Sequence, residues 1–456
     1  MTGAAPGPLG HAARTLAWRN GEPIALAQCL AEAAALAEQL PAAGRPINLC
    51  SDRYLFTLAL LAALMRGQTS LMPPNAMPHT LRQLSHGDAP AYALIDDATQ
   101  DTAGLSRIVV SRPATASAGG ATLNVAPQQW VACLLTSGST GAPQPQRKRW
   151  DALVRSIDGE ARCLSALLGW PTIAGLNLVA TVPAQHSYGF ESSVLLALLG
   201  GAAFDAARPF YPADIADALA RLPRPRALVT TPVHLKALLL AGAALPAVDL
   251  ILSATAPLSP QLAERAEAQL QGRMIEIYGC TEAGQVAARR TTAGDVWTAL
   301  PGLCLTRRST DDGDQFVVEG GHVLEPTPLA DQLDLLDERR FRLLGRANDL
   351  IHVAGKRSSL AHLNFHLNRI DGVDDGVFWL PDDVTDGVVR LVAFVVAPRL
   401  RARQIIDALR PHVESAFLPR RVVQVDALPR QATGKITAQA LREFALATLA
   451  SHRSRS

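Results

Sequence analysis

The sequence has no two cysteines in Cys-x-x-Cys spacing; Cys29, Cys50, Cys133, Cys163, Cys280 and Cys304 stand singly among its 456 residues. A cysteine-based zinc cluster or dithiol redox centre is excluded, and the thiols read as reduced, small apolar side chains. Long hydrophobic runs are also missing. Stretches such as Leu58 to Met65 and Ala237 to Ala241 fall well short of the ~20 apolar residues that cross a bilayer, so they read as core helices and stable membrane insertion is not expected. Met1 to Gly10 has neither the basic start nor the apolar centre of an export signal, which makes a cytoplasmic location the expectation. An excess of charge of one sign is absent too: the net charge is +2, which argues against nucleic acid as a partner. The exception is local, because Arg399 to Ser456 holds eleven Lys/Arg against four Asp/Glu.

No Gly-Lys-Ser/Thr loop and no dinucleotide-binding fingerprint is present, which excludes the common P-loop and Rossmann-type sites. What stands in their place is a different polar loop. The apolar run Val131 to Leu135 empties into Thr136, Ser137, Gly138, Ser139, Thr140 and Gly141. A strand ending in such a loop turns several backbone N–H groups and hydroxyls toward one small volume, which suits a polyphosphate.

With 48% hydrophobic and 18% charged residues, the chain can bury a large core, and its length suits one large and one small domain. The first forty-odd residues are Ala-rich, with Leu26, Leu30, Leu36 and Leu40 spaced for one helix face. Strands are expected at Asn177 to Val182, Ala227 to Thr230, Leu250 to Ser253 and Met274 to Ile277, alternating with helices such as Pro260 to Gln271. That alternation predicts an α/β fold with a mainly parallel, helix-covered sheet, whose ligands bind beyond the carboxyl ends of the strands. After Gly345 the pattern becomes α+β: strand Leu350 to Val353, helix Leu360 to Asn368, two strands within Val377 to Val396, helix Arg403 to Ala416 and strand Val422 to Val425. The expected division is a large domain over 1–345 and a small mobile one over 346–456, joined through Arg346-Ala347-Asn348-Asp349.

Three further motifs follow the Ser/Thr/Gly loop in order. Tyr278-Gly279-Cys280-Thr281-Glu282 follows a strand, Asp331 precedes Gly345-Arg346, and Gly434-Lys435 ends Leu428-Pro429-Arg430-Gln431-Ala432-Thr433. At these residues, from about Cys50 to about Arg442, the chain resembles the adenylate-forming superfamily, which includes acyl-CoA synthetases, aryl-acid ligases and adenylation domains. The resemblance implies ATP as co-substrate and Mg²⁺ as cofactor. It makes Thr136 to Gly141 the phosphate loop, and Thr281 and Glu282 the phosphate contact and the metal-holding carboxylate. Tyr278 and Gly279, with Ser253, Ala254, Thr255 and Ala256, would form the adenine pocket, and Asp331 with Arg346 would hold the ribose side. Lys435 would set its ammonium between the substrate carboxylate and the α-phosphate.

His186, Tyr188 and Gly189 in Pro183-Ala184-Gln185-His186-Ser187-Tyr188-Gly189-Phe190 resemble the acyl-pocket segment, with Ser253 and Gly279 beside them, and His186 is counted with Lys435, Thr281 and Glu282 as catalytic. Asn348 falls at the family's hinge, and Gly355 on the face used for thiol capture. One departure stands out: Gln144 follows Pro143 where most relatives have lysine, so that either the phosphate-stabilising role passes to Lys148 or the loop is less effective.

The resemblance narrows to ligases of bacterial aryl polyene and xanthomonadin-type pigment synthesis, which implies a hydroxybenzoate-like acid loaded onto an acyl carrier protein. The basic C-terminal segment suits an acidic carrier. Coenzyme A as the acceptor thiol shares every motif. An amino-acid-activating domain fits less well, although Glu191 follows Phe190 where an acidic residue would meet an amino group. A catalytically inactive nucleotide-binding or carrier-docking module draws its support from Gln144, against the joint presence of Thr281, Glu282 and Lys435.

Overall fold

Short aliphatic runs bounded by polar and Pro-containing turns become strands buried on both faces, which is how parallel sheets are written in sequence. In the computed structural model these are Asn177–Ala180, Arg226–Thr230, Leu250–Ser253 and Arg273–Cys280, joined side by side in parallel with Ala203–Asp205 next to the first. The residues described are 9–87, 89–113, 121–137, 143–310, 313–346, 350–353, 356–381, 391–430 and 436–453. Helices Pro212–Arg221, Pro232–Leu240 and Pro260–Leu270 make the crossovers. Each opens on proline, whose missing N–H costs nothing at a helix start. Thr231 and Ser259 cap the latter two by accepting from the amides of His234 and Leu262.

This sheet has eleven strands, and its margins depart from the expected pattern. Beyond Cys280 the chain turns back through Gly284–Arg290, and antiparallel strands Val296–Ala299, Arg340–Arg346 and Asp331–Leu335 extend the edge. At the other margin Thr15–Arg19 lies parallel to Ala203–Asp205 and pairs with Glu22–Ala25. The N-terminal region is therefore a hairpin followed by a helix, Leu26–Gln39, which buries Leu26, Leu30 and Leu36 as its spacing demands. The hairpin strands are too short and too polar to show a period.

A second sheet orders Ser106–Val109, Ala91–Ile95, Arg45–Asn48, Ser70–Met72, Trp130–Ser137 and Pro143–Arg149, with only the last strand antiparallel. Helix Arg53–Met65 shares one core with both sheets: Leu58, Leu61 and Leu64 bury in the same cluster as Leu134, Leu178 and Phe204. The C-terminal part has its own cores around Phe378, Ile405, Phe394 and Val423. There Asp375–Trp379, Val392–Val396 and Arg421–Gln424 form a sheet flanked by Leu360–Asn368, Ala402–Leu409 and Ala438–Arg453. The helix expected to reach Ala416 stops at Leu409: Arg410 keeps helical dihedrals, but Pro411 has no N–H with which to continue the ladder.

Arg53 ties its own helix to the larger sheet. Its side chain is 1% exposed, and its guanidinium donates to Ser193 Oγ (2.6 Å), Ala180 O (3.0 Å) and Val182 O (2.9 Å). Burial is the main cause that lowers its pKa, to about 10, which still leaves it charged at neutral pH. Arg53→Ala leaves these buried acceptors without their donors. It is expected to lower unfolding free energy by about 3 kcal/mol, read as a shift in urea midpoint at constant slope.

Candidate active site

The functional segments converge at the carboxyl ends of the parallel strands. Trp130–Ser137 and Pro143–Arg149 are the two arms of the Ser/Thr/Gly hairpin, with Thr136 opposite Gln144 and Ser137 opposite Pro143. Gly138, Ser139, Thr140 and Gly141 lie outside the described residues, as do Asn348, Gly355 and Lys435.

Lys148, on the return arm, is not spent on its own hairpin. Its Nζ donates to Thr281 O at 2.5 Å and to Glu282 O at 3.3 Å, which ties the loop to the turn that carries the other phosphate-side candidates. The next carbonyl, Ala283 O, meets His322 Nε2 at 3.1 Å. Three consecutive carbonyls are thus held from below, while Glu282 stands exposed at the surface of the turn. His322 was not legible in the sequence; it lies on an antiparallel hairpin 39 residues away with no motif around it.

Burial, first, and the Lys148 charge, second, drive the His322 pKa down to about 4, so the ring is neutral and Nε2–H is the donor to Ala283. Gly279 sits where the strand folds onto its partner, and a β-carbon there would collide with Gly284 O. Cys280 Sγ accepts from the Ala283 amide at 3.4 Å, and burial, followed by other smaller effects, pushes its thiol up to about 12. It is therefore no nucleophile at neutral pH.

Tyr278 and Asp331, both assigned to the nucleotide in the sequence analysis, touch one another. The Tyr278 hydroxyl donates to Asp331 Oδ2 at 2.8 Å, while its ring packs against Trp297 and Phe341 at centroid distances of 5.8 and 5.6 Å. Asp331 is also in register with Arg346 across the strand pair. After Leu250–Ser253 the backbone enters Ala254-Thr255-Ala256 with Thr255 at φ +79, a left-handed conformation that β-branched residues rarely take. Such strain gathers at binding sites, where surrounding contacts enforce it.

His186 caps the short helix Ser187–Gly189, which runs into a π-helical turn, Phe190–Leu195. Gly189 is obligatory, since a β-carbon there would overlap Pro183 O. The Tyr188 hydroxyl donates to Leu252 O at 2.8 Å, fastening this segment to the strand that ends in Ser253. Beneath it, Glu191 accepts from Ser187 Oγ at 2.7 Å and Gln285 Nε2 donates to Ser192 Oγ at 3.0 Å.

The C-terminal part touches the large one near the base of the lysine segment. Lys236 donates to Val373 O, and Arg369 Nε donates to Gln261 Oε1 at 3.2 Å. Arg430 forks onto Asp375 at 2.6 and 2.7 Å, fixing the chain five residues before Lys435. Clefts elsewhere, one lined by Arg224, Asp249, Glu267 and Arg273, lie at the amino ends of the same strands and contain none of these residues.

The neutral imidazole has a measurable consequence. An unfolded histidine takes a proton near pH 6.5, which His322 in the fold refuses until about pH 4, so stability is lost as pH falls through that window. His322→Gln is expected to flatten the stability profile between pH 6.5 and 4, measured as denaturant midpoints; an unchanged slope would assign the acid loss to other groups.

Comparison with known proteins agrees with this geometry. The family model described as "AMP-binding enzyme" matches residues 47–303. The chain is 34% identical over 277 residues to a 4-coumarate–CoA ligase of Rhodobacter capsulatus, covering 59% of this chain and 66% of that one. It is 22% identical over 311 residues to a 3,4-dihydroxybenzoate–[aryl-carrier protein] ligase of Bacillus anthracis, covering 67% and 72%. The crystal structure of ATP-bound MatB from Rhodopseudomonas palustris superposes with a TM-score of 0.78 at 20% identity, over 95% of this chain and 96% of that one, so the large-plus-small-domain fold is the same. Among the described residues no helix is long and apolar enough to cross a membrane. With its central half matched and its strand-end loops drawn together, the chain belongs to the AMP-binding enzyme family.

Proposed function

We propose that the chain is an AMP-forming acid–thiol ligase. A carboxylate oxygen attacks the α-phosphorus of ATP, pyrophosphate leaves, and the acyl-adenylate then loses AMP to an attacking thiol. The observation that carries this reading is the link from Lys148 to Thr281 and Glu282, which joins the Ser/Thr/Gly hairpin to the metal-side turn at the strand ends. Both reactants are anions, so adenylation needs positive charge and fixed donors more than it needs a proton acceptor. Lys435 is assigned that charge, and Lys148 and His322 are positioning residues that hold the turn.

Thr281 would bond the phosphate and Glu282 would hold Mg²⁺, which supplies charge neutralisation on the departing pyrophosphate. One carboxylate with phosphate oxygens suffices for that ion. Tyr278 and the 253–256 segment would face the adenine, and Asp331 with Arg346 the ribose. His186, Tyr188 and Gly189 would face the acid. Division at 345/346, with Asn348 as hinge and Gly355 on the thiol-capturing face, completes the assignment, and cytoplasmic ATP is its energy source.

The acid is proposed to be aromatic and hydroxylated, and the acceptor the phosphopantetheine thiol of an acyl carrier protein, as in aryl polyene-type ligases. The Bacillus anthracis relative acts on a dihydroxybenzoate and an aryl-carrier protein, which supports that pairing. Coenzyme A is the second reading, favoured by the Rhodobacter capsulatus relative.

Pyrophosphate release measured over aryl, fatty and amino acids is expected to be highest with hydroxylated aryl acids. Adding coenzyme A or a phosphopantetheinylated carrier in parallel identifies the acceptor, and a strong preference for coenzyme A would defeat the carrier assignment. Lys435→Ala is expected to cut adenylation by about 10²-fold or more, the size typical of removing one oriented charge from a transition state. A bulky residue at Gly355 should slow thioester formation from preformed acyl-adenylate; equal damage to both half-reactions by both variants would refute the two-face scheme.

A further inference from the structure

Glu160 has no role in the chemistry above, yet it is the most isolated acid among the described residues. It projects from helix Trp150–Leu168, is 0% exposed, and both of its oxygens lack a partner of hydrogen-bonding geometry. Two other buried oxygens on segments assigned to the site share that condition: Gln285 Oε1, on the strand that follows the Thr281–Glu282 turn, and Ser253 Oγ, on the strand whose Leu252 carbonyl accepts from Tyr188. Ser192 and Gln285 act on Glu160 directly, and Gln285 is bonded to Ser192 through its other amide atom. Glu160, on a helix of its own, thus stands beside Ser192, in the turn that continues from His186 and Tyr188, and beside Gln285, on the strand that begins at Gly284. Buried polar groups in folded proteins are normally satisfied, so the adjoining unpaired oxygens of Glu160 and Gln285 leave room in their bonding for a polar group of a ligand.

Resting on the acid-activating reading, we infer that Glu160 and Gln285 are specificity-determining residues that receive a hydroxyl group on the end of the substrate remote from its carboxylate. A hydroxyl supplies one donor and two acceptor sites, so it can complement an amide oxygen and a carboxylic acid at once. An alkyl or unsubstituted aryl acid leaves these atoms unpaired, which is the circumstance in which enzymes discriminate most strongly.

The ionisation of Glu160 favours the same partner. Burial above all, and the nearby Glu191 carboxylate in addition, raise its pKa to about 8 against the opposing pull of Ser192 and Gln285. At neutral pH the group is a protonated acid that can donate as well as accept, and it offers no charge to an ammonium substituent. Glu191 is occupied by Ser187 at 2.7 Å. The other titratable neighbours, Tyr188 and Cys163, are held protonated by burial.

The test compares kcat/KM for adenylation of 4-hydroxybenzoate, 3-hydroxybenzoate and benzoate by the wild type, Glu160→Gln and Glu160→Leu, with urea midpoints recorded for each. The wild type is expected to favour a hydroxylated acid by about 10²-fold or more. Glu160→Leu should reduce that ratio to below about tenfold, mainly by raising KM for the hydroxylated acid, while Glu160→Gln keeps part of it. Leucine replaces an unpaired acid with an apolar side chain, and glutamine is isosteric, so at least one variant is expected to fold. A preference unchanged in both variants overturns this inference alone. Failure of the wild type to adenylate any acid overturns the underlying ligase reading, and this inference with it.

Discussion

A single buried guanidinium ties helix Arg53–Met65 to the end of strand Asn177–Ala180 in the larger sheet. Arg53 reaches across the shared core to the carbonyls of Ala180 and Val182 and to the Ser193 hydroxyl. Charged groups are rarely so fully enclosed, and this one persists because it satisfies backbone acceptors where a parallel strand ends without a ladder partner. The stretch from Val182 to Ser193 contains His186, Tyr188 and most of the π-helical turn, so the same bonds that close the core also hold the segment proposed to face the acid. The position of His186 relative to Ser253 follows from Arg53 and from the Tyr188 bond to Leu252.

The other half of the site is arranged by electrostatics around one turn. Thr281, Glu282 and Ala283 direct their carbonyls to Lys148 and His322, which leaves the exposed Glu282 side chain and the turn's outer surface toward solvent. The Lys148 ammonium, expected at the phosphate, is bonded to two carbonyls of the turn. The neutral state of His322 belongs to the same arrangement, since a second positive charge beside Lys148 would be disfavoured. On the small-domain side, the Arg430–Asp375 fork steadies the approach to the lysine loop, and Lys236 holds the adjoining backbone from the large domain.

Much of the architecture was legible because its signals are local. The strands at Leu250 to Ser253 and Leu350 to Val353 and the helix Leu360–Asn368 fall where the apolar patterns put them, and the crossover helices begin at proline and capping residues. The hairpin Thr15–Arg19 with Glu22–Ala25 escaped notice because strands of four or five residues carry too little pattern to separate from turns. Glu160 escaped for a different reason. It stands in Asp158-Gly159-Glu160-Ala161-Arg162, a run that reads as a solvated helix face, and only the packing of that helix on Gly284–Arg290 and the π-helical turn encloses it.

By itself the sequence determined the order and identity of the motifs, the parallel α/β core and the change to an α+β pattern after Gly345, since each is written in residues adjacent along the chain. The tertiary structure decided which of those residues touch. Lys148 meets Thr281 across 133 positions, Tyr278 meets Asp331 across 53, and Ser192 meets Gln285 across 93. Contacts of that range depend on sheet order, crossover packing and the direction in which each strand ends, and no local spacing encodes them.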